Sequence, residues 1–126
     1  ALELNRWYHI AASYEKGKGL VLYLDGQKVG SSSCGALVVN SVTDLQAGTA
    51  PSYSNRYMRG YIQDLSLWKD VRIAEEVVTD VNCNFSGTEE GLNAYWPLSL
   101  NLGTEITDET GTRVASLVDV VWESNE

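Results

Sequence analysis

From Trp7 to Tyr14 the chain alternates. Positions 8, 10, 12 and 14 are Tyr, Ile, Ala and Tyr, while 7, 9, 11 and 13 are Trp, His, Ala and Ser. Successive side chains leave opposite faces of a pleated backbone, so this alternation predicts a strand whose apolar row is the core face and whose other row is mixed. Leu20, Leu22 and Leu24 share one face of a second strand and Val21 and Tyr23 the other, which predicts cover on both sides. Lys16-Gly17-Lys18-Gly19 gives the backbone freedom for the reversal between them, and Asp25-Gly26 is a two-residue hairpin signal, because Gly takes a positive φ without a Cβ clash. With Gln27 to Gly30 returning, Arg6 to Gly30 predicts a three-stranded antiparallel meander.

Further along the pattern is looser. Ser31 to Gly35 reads as a polar loop, Ala36 to Val39 and Asp44 to Thr49 as short strands, and Ala50 to Arg56 as an exposed loop of small and polar residues. Tyr57 to Trp68 is the longest predicted strand, with Gly60 marking a bulge or a close backbone approach. Ile73, Val77, Val78 and Val81 fall on one face of a short helix, whose first turn carries Glu75 and Glu76 at the positive end of its dipole. Gly91 to Leu98 begins a strand that Pro97 confines to an edge or an end. Arg113 to Trp122, with Val114, Ser116, Val118, Val120 and Trp122 on one face, predicts the last strand.

Several of these stretches carry a resemblance. W-x-H-I-A-A-S-Y at Trp7 to Tyr14, L-x-L-Y-L-D-G-x-x-V-G at Leu20 to Gly30, Gly60 to Trp68 and Arg72 to Glu76 follow one another as in the laminin G-like, concanavalin A-like jelly-roll superfamily, which includes pentraxins. These motifs cover residues 6 to 82. G-L-x-A-Y-W-P-L at Gly91 to Leu98 and D-x-x-G at Asp108 to Gly111 resemble the opening of the same module, although they come last here. The resemblance implies an all-β fold, an antiparallel β-sandwich of jelly-roll type with one short helix, permuted or partial. It implies one domain over 1–126, with 91–126 either folding back to close the sandwich, the favoured account, or opening the next module of a tandem array. It also implies a mostly extracellular setting and ligands that are glycans, proteins or steroids.

Calcium enters through the same resemblance, because several members hold an ion where the early D-x-x-G loop meets a late strand. Asp108 and Asp64 are the matching carboxylates, and Gln63 stands where the pattern has another acid. Weak calcium binding at Asp108 and Asp64 is the expectation, with Asp44 and Asp25 as alternative turn carboxylates.

Length and charge narrow the partners. A chain of 126 residues with 44% hydrophobic residues has material for one domain with a core. Its formal charge of −8, from 17 acidic and nine basic side chains, disfavours nucleic acid and anionic lipid. No apolar run reaches the roughly 20 residues that span a bilayer, so membrane insertion is not expected. The start lacks a signal-peptide pattern, which leaves a mature chain, a fragment or a cytosolic protein open. Cys34 and Cys83 are the two cysteines, open to one disulfide or two buried thiols, and the implied extracellular setting favours the bridge. Asn84-Phe85-Ser86 is a glycosylation sequon for a secreted chain.

Candidate chemistry points away from catalysis. Glycosidases need two carboxyl groups across one bond, and in Glu105-Ile106-Thr107-Asp108-Glu109 the residues Glu105 and Asp108 lie on opposite faces of a strand. His9 has no serine or cysteine motif beside it. Four tryptophans and seven tyrosines supply rings that stack on sugar faces. Trp7, Trp68 and Trp96, in strands, are expected in the core, while Tyr53, Asn55, Arg56 and Tyr57, in or beside the polar loop, are the expected ligand contacts. The expected function is a non-catalytic, secreted or cell-surface binding or adhesion module that takes a glycan or an extracellular protein. The alternative is a structural assembly module that pairs with neighbouring chains, including homo-oligomers formed by strand addition.

Overall fold

The computed structural model describes residues 1–35, 44–50, 55–99 and 103–123. In order these form β1 (Ile10–Glu15), β2 (Gly19–Leu24), β3 (Gln27–Ser32), β4 (Leu65–Trp68), α1 (Ala74–Asp80), β5 (Leu92–Trp96), β6 (Glu105–Thr107) and β7 (Val114–Ser116). The strands make one three-stranded sheet, β1-β2-β3, and two pairs, β4-β5 and β6-β7. Two compact units result, one from 1–37 with 68–85 and one from 38–67 with 86–126.

The first unit contains the meander, in the predicted order. β1 and β2 pair antiparallel from Ile10↔Leu24 to Glu15↔Gly19, and Lys18 N–H closes the reversal on Glu15 O at 3.0 Å. β2 turns into β3 through Asp25 and Gly26, both at positive φ (49° and 77°), the backbone that a two-residue turn needs to match strand twist. Gly26 is required a second time: a Cβ there would lie 3.1 Å from Val78 Cγ2 of the helix. The register slips between Leu22 and Tyr23, so Val29 bulges out of the ladder.

The sheet buries the face opposite to the expected one. Residues directly paired across strands share a face, which groups Ile10, Ala12 and Tyr14 with Leu20, Leu22 and Leu24, and Ser13 with Val21. Ser13 and Tyr23 are buried, whereas Ile10 is 66% and Leu22 41% exposed. The reason lies at 71–74: Ser13, Val21 and Tyr23 line a cleft of about 250 Å³ with Val71, Arg72, Ile73 and Ala74. Of the more apolar row, Ile10, Ala12 and Leu22 are exposed while Tyr14, Leu20 and Leu24 are half-buried, so the middle strand is covered more fully on the Ser13 and Tyr23 side.

Helix α1 is one turn of core contact. Val77 is buried, while Val78 and Ile73 are exposed, so the apolar face is narrower than its four-residue pattern predicts. Glu76 Oε2 accepts the Ile73 N–H at 2.9 Å, which satisfies one of the orphan donors at the start of the helix. Arg72 fixes the helix end to end, donating to both oxygens of Asp80 (2.7 Å at the nearest) and to Glu76 at 3.1 Å, with its guanidinium 3.9 Å from the centre of the Trp68 ring. Trp68 in turn meets Phe85 edge-on, centroids 5.2 Å apart.

Cys34 and Cys83 are separate, half-buried thiols, which corrects the expected bridge. Each is held by its own surroundings: Cys83 N–H bonds to Asp80 O at 3.1 Å in the turn that leaves α1, while Tyr14 donates to the carbonyl of Gly35 beside Cys34.

The second unit has its core at Ala94, Trp96 and Ile106, packed by Leu65, Leu67, Leu98, Ala115, Leu117 and Trp122. β6 and β7 pair antiparallel through Ile106↔Ala115. Both indoles of the core spend their N–H on backbone, Trp96 on Ile106 O (3.3 Å) and Trp122 on Gly103 O (3.2 Å).

Several expected strands are shorter. Within 57–68 regular pairing is confined to β4 and to an isolated Thr49↔Tyr57 bridge, because Asp64 at φ 56° interrupts extended backbone. The last strand stops at Ser116, and Val118 and Val120 are exposed. The expected Asp44–Thr49 strand contributes only Thr49 to pairing, and the expected strand at Ala36 to Val39 lies outside the described residues. Of the three tryptophans expected in the core, Trp96 is buried, Trp68 is half-buried and Trp7 is 56% exposed ahead of β1.

Candidate functional site

Three of the four expected ligand contacts, Asn55, Arg56 and Tyr57, lie in the second unit at an isolated antiparallel bridge. Thr49 and Tyr57 face each other, Ala50 N–H donates to Arg56 O at 3.2 Å, and Met58 N–H donates to Gly48 O at 2.7 Å. These bonds pin the backbone on either side of Tyr57. Asn55 takes φ 66°, a turn conformation that Asn tolerates better than most residues. Asn55, Arg56 and Tyr57 are adjacent and all exposed, Tyr57 at 71%; Tyr53 lies outside the described residues. Met58, Arg59 and Tyr61 extend the exposed surface, and Arg59 is a polar member that the pattern reading passed over. Its signal was legible, because 45–63 holds no Asp or Glu. The Tyr61 hydroxyl bonds to the Glu123 carboxylate, whose hydrogen bond and charge raise the tyrosine above its ordinary pKa.

An exposed ring on a pinned backbone, with an amide and guanidinium groups beside it, offers a flat apolar face and polar edges to a hydroxylated ring. Its aromatic ring costs little to order, since Tyr has few rotatable bonds.

The D-x-x-G loop is organised by Asp108, which is 3% exposed. Oδ2 accepts the N–H of Tyr95 (3.3 Å), the N–H of Thr110 (2.9 Å) and the Thr110 hydroxyl, while Oδ1 accepts the N–H of Thr112 (3.0 Å) and of Arg113 (2.7 Å). Burial alone would raise this carboxyl. The donors from Thr110, Arg113 and Tyr95 outweigh it and hold the pKa down to about 2.

Calcium does not fit this loop. The ion takes about six to eight oxygens, generally with two or more carboxylates. Both Asp108 oxygens already face donor hydrogens, whose positive ends would confront a cation, and Asp64 Oδ1 accepts the Tyr95 hydroxyl at 2.8 Å. Of the alternatives, Asp25 is spent on His9 N–H (2.9 Å) and Arg6 (3.0 Å). Among the described residues no three His, Cys, Asp or Glu side chains gather where they could hold a metal.

The same loop bears on acid–base chemistry. A carboxyl held near pKa 2 is ionised at neutral pH and has no proton to give a leaving group, so Asp108 cannot serve as a glycosidase acid. The backbone of His9 bonds to Asp25, and its Nδ1 is buried with no hydrogen-bond partner among the described residues.

Comparison with known proteins now bears on the family. The laminin G model of the concanavalin A-like lectin/glucanases superfamily matches residues 1–78, more than half of the chain. The chain belongs to that superfamily. A Mus musculus relative within reach of the sequence, Pappalysin-1, is 32% identical over 82 residues, which are 60% of this chain and 5% of that protein. Among solved structures, a candidate carbohydrate binding protein from Bacteroides ovatus matches 94% of this chain and 38% of its own, at a TM-score of 0.74 and 24% identity. An S-layer domain-containing protein from Clostridium thermocellum matches 65% of this chain and 42% of its own, at 0.57 and 24%. The chain thus spans less than half the length of each of these proteins. At such identities the two structures establish the fold: an all-β, antiparallel β-sandwich with one short helix, as the superfamily resemblance implies.

Proposed function

We propose that the chain is a non-catalytic carbohydrate-binding module of a secreted or cell-surface protein, and that Tyr57, with Asn55 and Arg56, makes its ligand surface. The observation that carries this is the Tyr57 shelf: a tyrosine 71% exposed on a backbone pinned on both sides, flanked by polar side chains. Superfamily membership and the name of the Bacteroides ovatus structure support a sugar as ligand. The S-layer name supports a surface setting, and the exposed Asn84 sequon suits it. Asp108, with both oxygens taken up by donors of its own loop and of Tyr95, is engaged structurally, which supports a role without chemistry. No helix among the described residues is long and apolar enough to cross a membrane. Screening the chain on a glycan array tests the reading: reproducible binding that Tyr57→Ala weakens at least tenfold is expected, and a folded chain that binds nothing on the array overturns it.

A second reading rests on a different face. The row of Ile10, Ala12 and Leu22, with half-buried Tyr14, Leu20 and Leu24, is uncharged and partly exposed, a surface that an assembly module would bury against another protein chain. Sedimentation of the chain, with Leu22→Glu as control, tests it: a concentration-dependent oligomer lost in the variant supports assembly, and a monomer at every concentration removes it.

We further take 1–126 as one module closed by its own last segment. The pairing of β5 with β4, and the packing of Leu65 and Leu67 on Ala94, Trp96 and Ile106, support closure within the chain.

A further inference from the structure

We propose that the cleft of the first unit, between the Ser13 and Tyr23 face of the sheet and residues 71–74, binds a small uncharged molecule of one ring that carries a hydroxyl, a phenol or an aryl alcohol. The cleft belongs to the first unit and the Tyr57 shelf to the second, so this is a site of its own and not part of the carbohydrate surface.

The polar groups are the first ground. Alternation along β1 and β2 sends Ser13, Val21 and Tyr23 to one face, and all three line the cleft. Ser13 is 9% and Tyr23 7% exposed, yet among the described residues neither hydroxyl has a hydrogen-bond partner. A largely buried hydroxyl without a partner is costly, and such groups are nearly always satisfied by protein, water or ligand. Two of them on one cleft are a place for a polar group brought from outside. A ligand hydroxyl suits both, because every hydroxyl can donate once and accept as well.

The rest of the lining decides what else the molecule carries. Val21, Val71, Ile73 and Ala74 present apolar surface. The charged side chains that line the cleft are already engaged: Lys18 Nζ donates to Glu15 at 2.8 Å, and Arg72 is held by Asp80 and Glu76 while it stacks on Trp68. A charged ligand would compete with those pairs and lose its water, so an uncharged one fits.

Volume sets the size. A cavity of about 150 Å³ lined by apolar side chains takes benzene, and drug-sized ligands occupy about 300–1,000 Å³. At about 250 Å³ the cleft holds one substituted ring and is too small for a disaccharide or a molecule of four fused rings.

The experiment titrates the full chain, followed by its amide chemical shifts, with p-cresol and with toluene, which has nearly the same shape and no hydroxyl. The expected result is a p-cresol Kd of about 1 mM or tighter, shifts centred on Ser13, Val21 and Tyr23, and a toluene affinity about tenfold lower. Tyr23→Phe and Ser13→Ala each remove only a hydroxyl. Each should weaken p-cresol about fivefold and leave both toluene binding and the melting temperature close to wild type. Toluene bound as tightly as p-cresol, with neither variant changing the affinity, would overturn the proposal. So would saturating p-cresol that leaves the amides of the cleft unmoved. Neither variant touches Tyr57, so this site and the carbohydrate surface stand or fall separately.

Discussion

Tyr95 lies between two carboxylates: its backbone N–H donates to Asp108 Oδ2 at 3.3 Å and its hydroxyl to Asp64 Oδ1 at 2.8 Å. Tyr95 is 1% exposed, so one core residue ties the D-x-x-G loop to the turn before β4 by hydrogen bonds of its own. The two acids that the superfamily resemblance assigns to an ion are instead joined through a protein side chain.

Asp108 should make the fold acid-labile. Its folded pKa of about 2 lies below the ordinary carboxylate value of 3.8, so the stabilisation is complete above that ordinary value and is lost as pH falls through about 2. The shift corresponds to about 2 kcal/mol. Urea unfolding at successive pH values should show the loss between about pH 5 and 2. Asp108→Asn, which puts an NH₂ where an oxygen accepted two N–H groups, should cost about 3 kcal/mol at neutral pH and flatten that pH dependence.

Calcium should leave stability unchanged. With both Asp108 oxygens occupied, millimolar Ca²⁺ or a chelator should move the melting temperature by less than about 1 °C, whereas a site loaded at a hundred times its Kd would add about 2.7 kcal/mol. A rise of several degrees would show that the loop exchanges its donors for an ion.

How much of this was legible in sequence depends on range. The two meander turns were readable because Gly17, Asp25 and Gly26 encode a backbone conformation by themselves. The buried face was not, since Ser13 and Tyr23 are inside only because the chain near Val71 to Ala74 covers them, and nothing local to β1 announces that partner. Alternation from Tyr57 to Trp68 continued through Asp64, whose positive φ is supported by a hydrogen bond to Pro97 O (3.0 Å) that lies far along the chain. At the candidate site, Asn55, Arg56 and Tyr57 were readable as loop chemistry. Arg59 was legible as well, as one of two arginines in the acid-free run 45–63, and the pattern reading passed over it.

Arg72 should resist conservative replacement. Its side chain is 19% exposed and Asp80's 12%, so removing the cation leaves a largely buried carboxylate without its partner. Arg72→Ala should lose about 3 kcal/mol, and Arg72→Lys should recover less than half, because an ammonium cannot make the paired bonds to Asp80 while stacking on Trp68. Urea midpoints of the two variants decide this.

Both cysteines should react as free thiols. Alkylation of denatured, unreduced protein followed by mass spectrometry should add two groups per chain, one each on Cys34 and Cys83, and double substitution to Ser should leave the melting temperature within a few degrees. An unmodified, cross-linked peptide pair would restore the bridge.

Removing 91–126 tests closure within the chain most directly. That segment supplies Leu92, Ala94, Tyr95, Trp96 and Ile106, the buried apolar side chains of the second unit among the described residues, and β5, the strand that pairs with β4. Without it Leu65 and Leu67 lose their packing partners, and Asp64 loses the Tyr95 hydroxyl and the Pro97 carbonyl together. Burying side chains of that size is worth about 2 kcal/mol each, and a domain's total stability is about 5–15 kcal/mol, so several such losses exceed what one domain can absorb. What 1–90 keeps of the second unit should therefore show no cooperative thermal transition of its own, read at Tyr57 and Tyr61 because Trp68 packs on Arg72 and Phe85 of the first unit, and adding a 91–126 peptide in excess should restore one. If that part of 1–90 melted cooperatively by itself, at a temperature close to that of the full chain, the last segment would not be closing this module and would be free to open another.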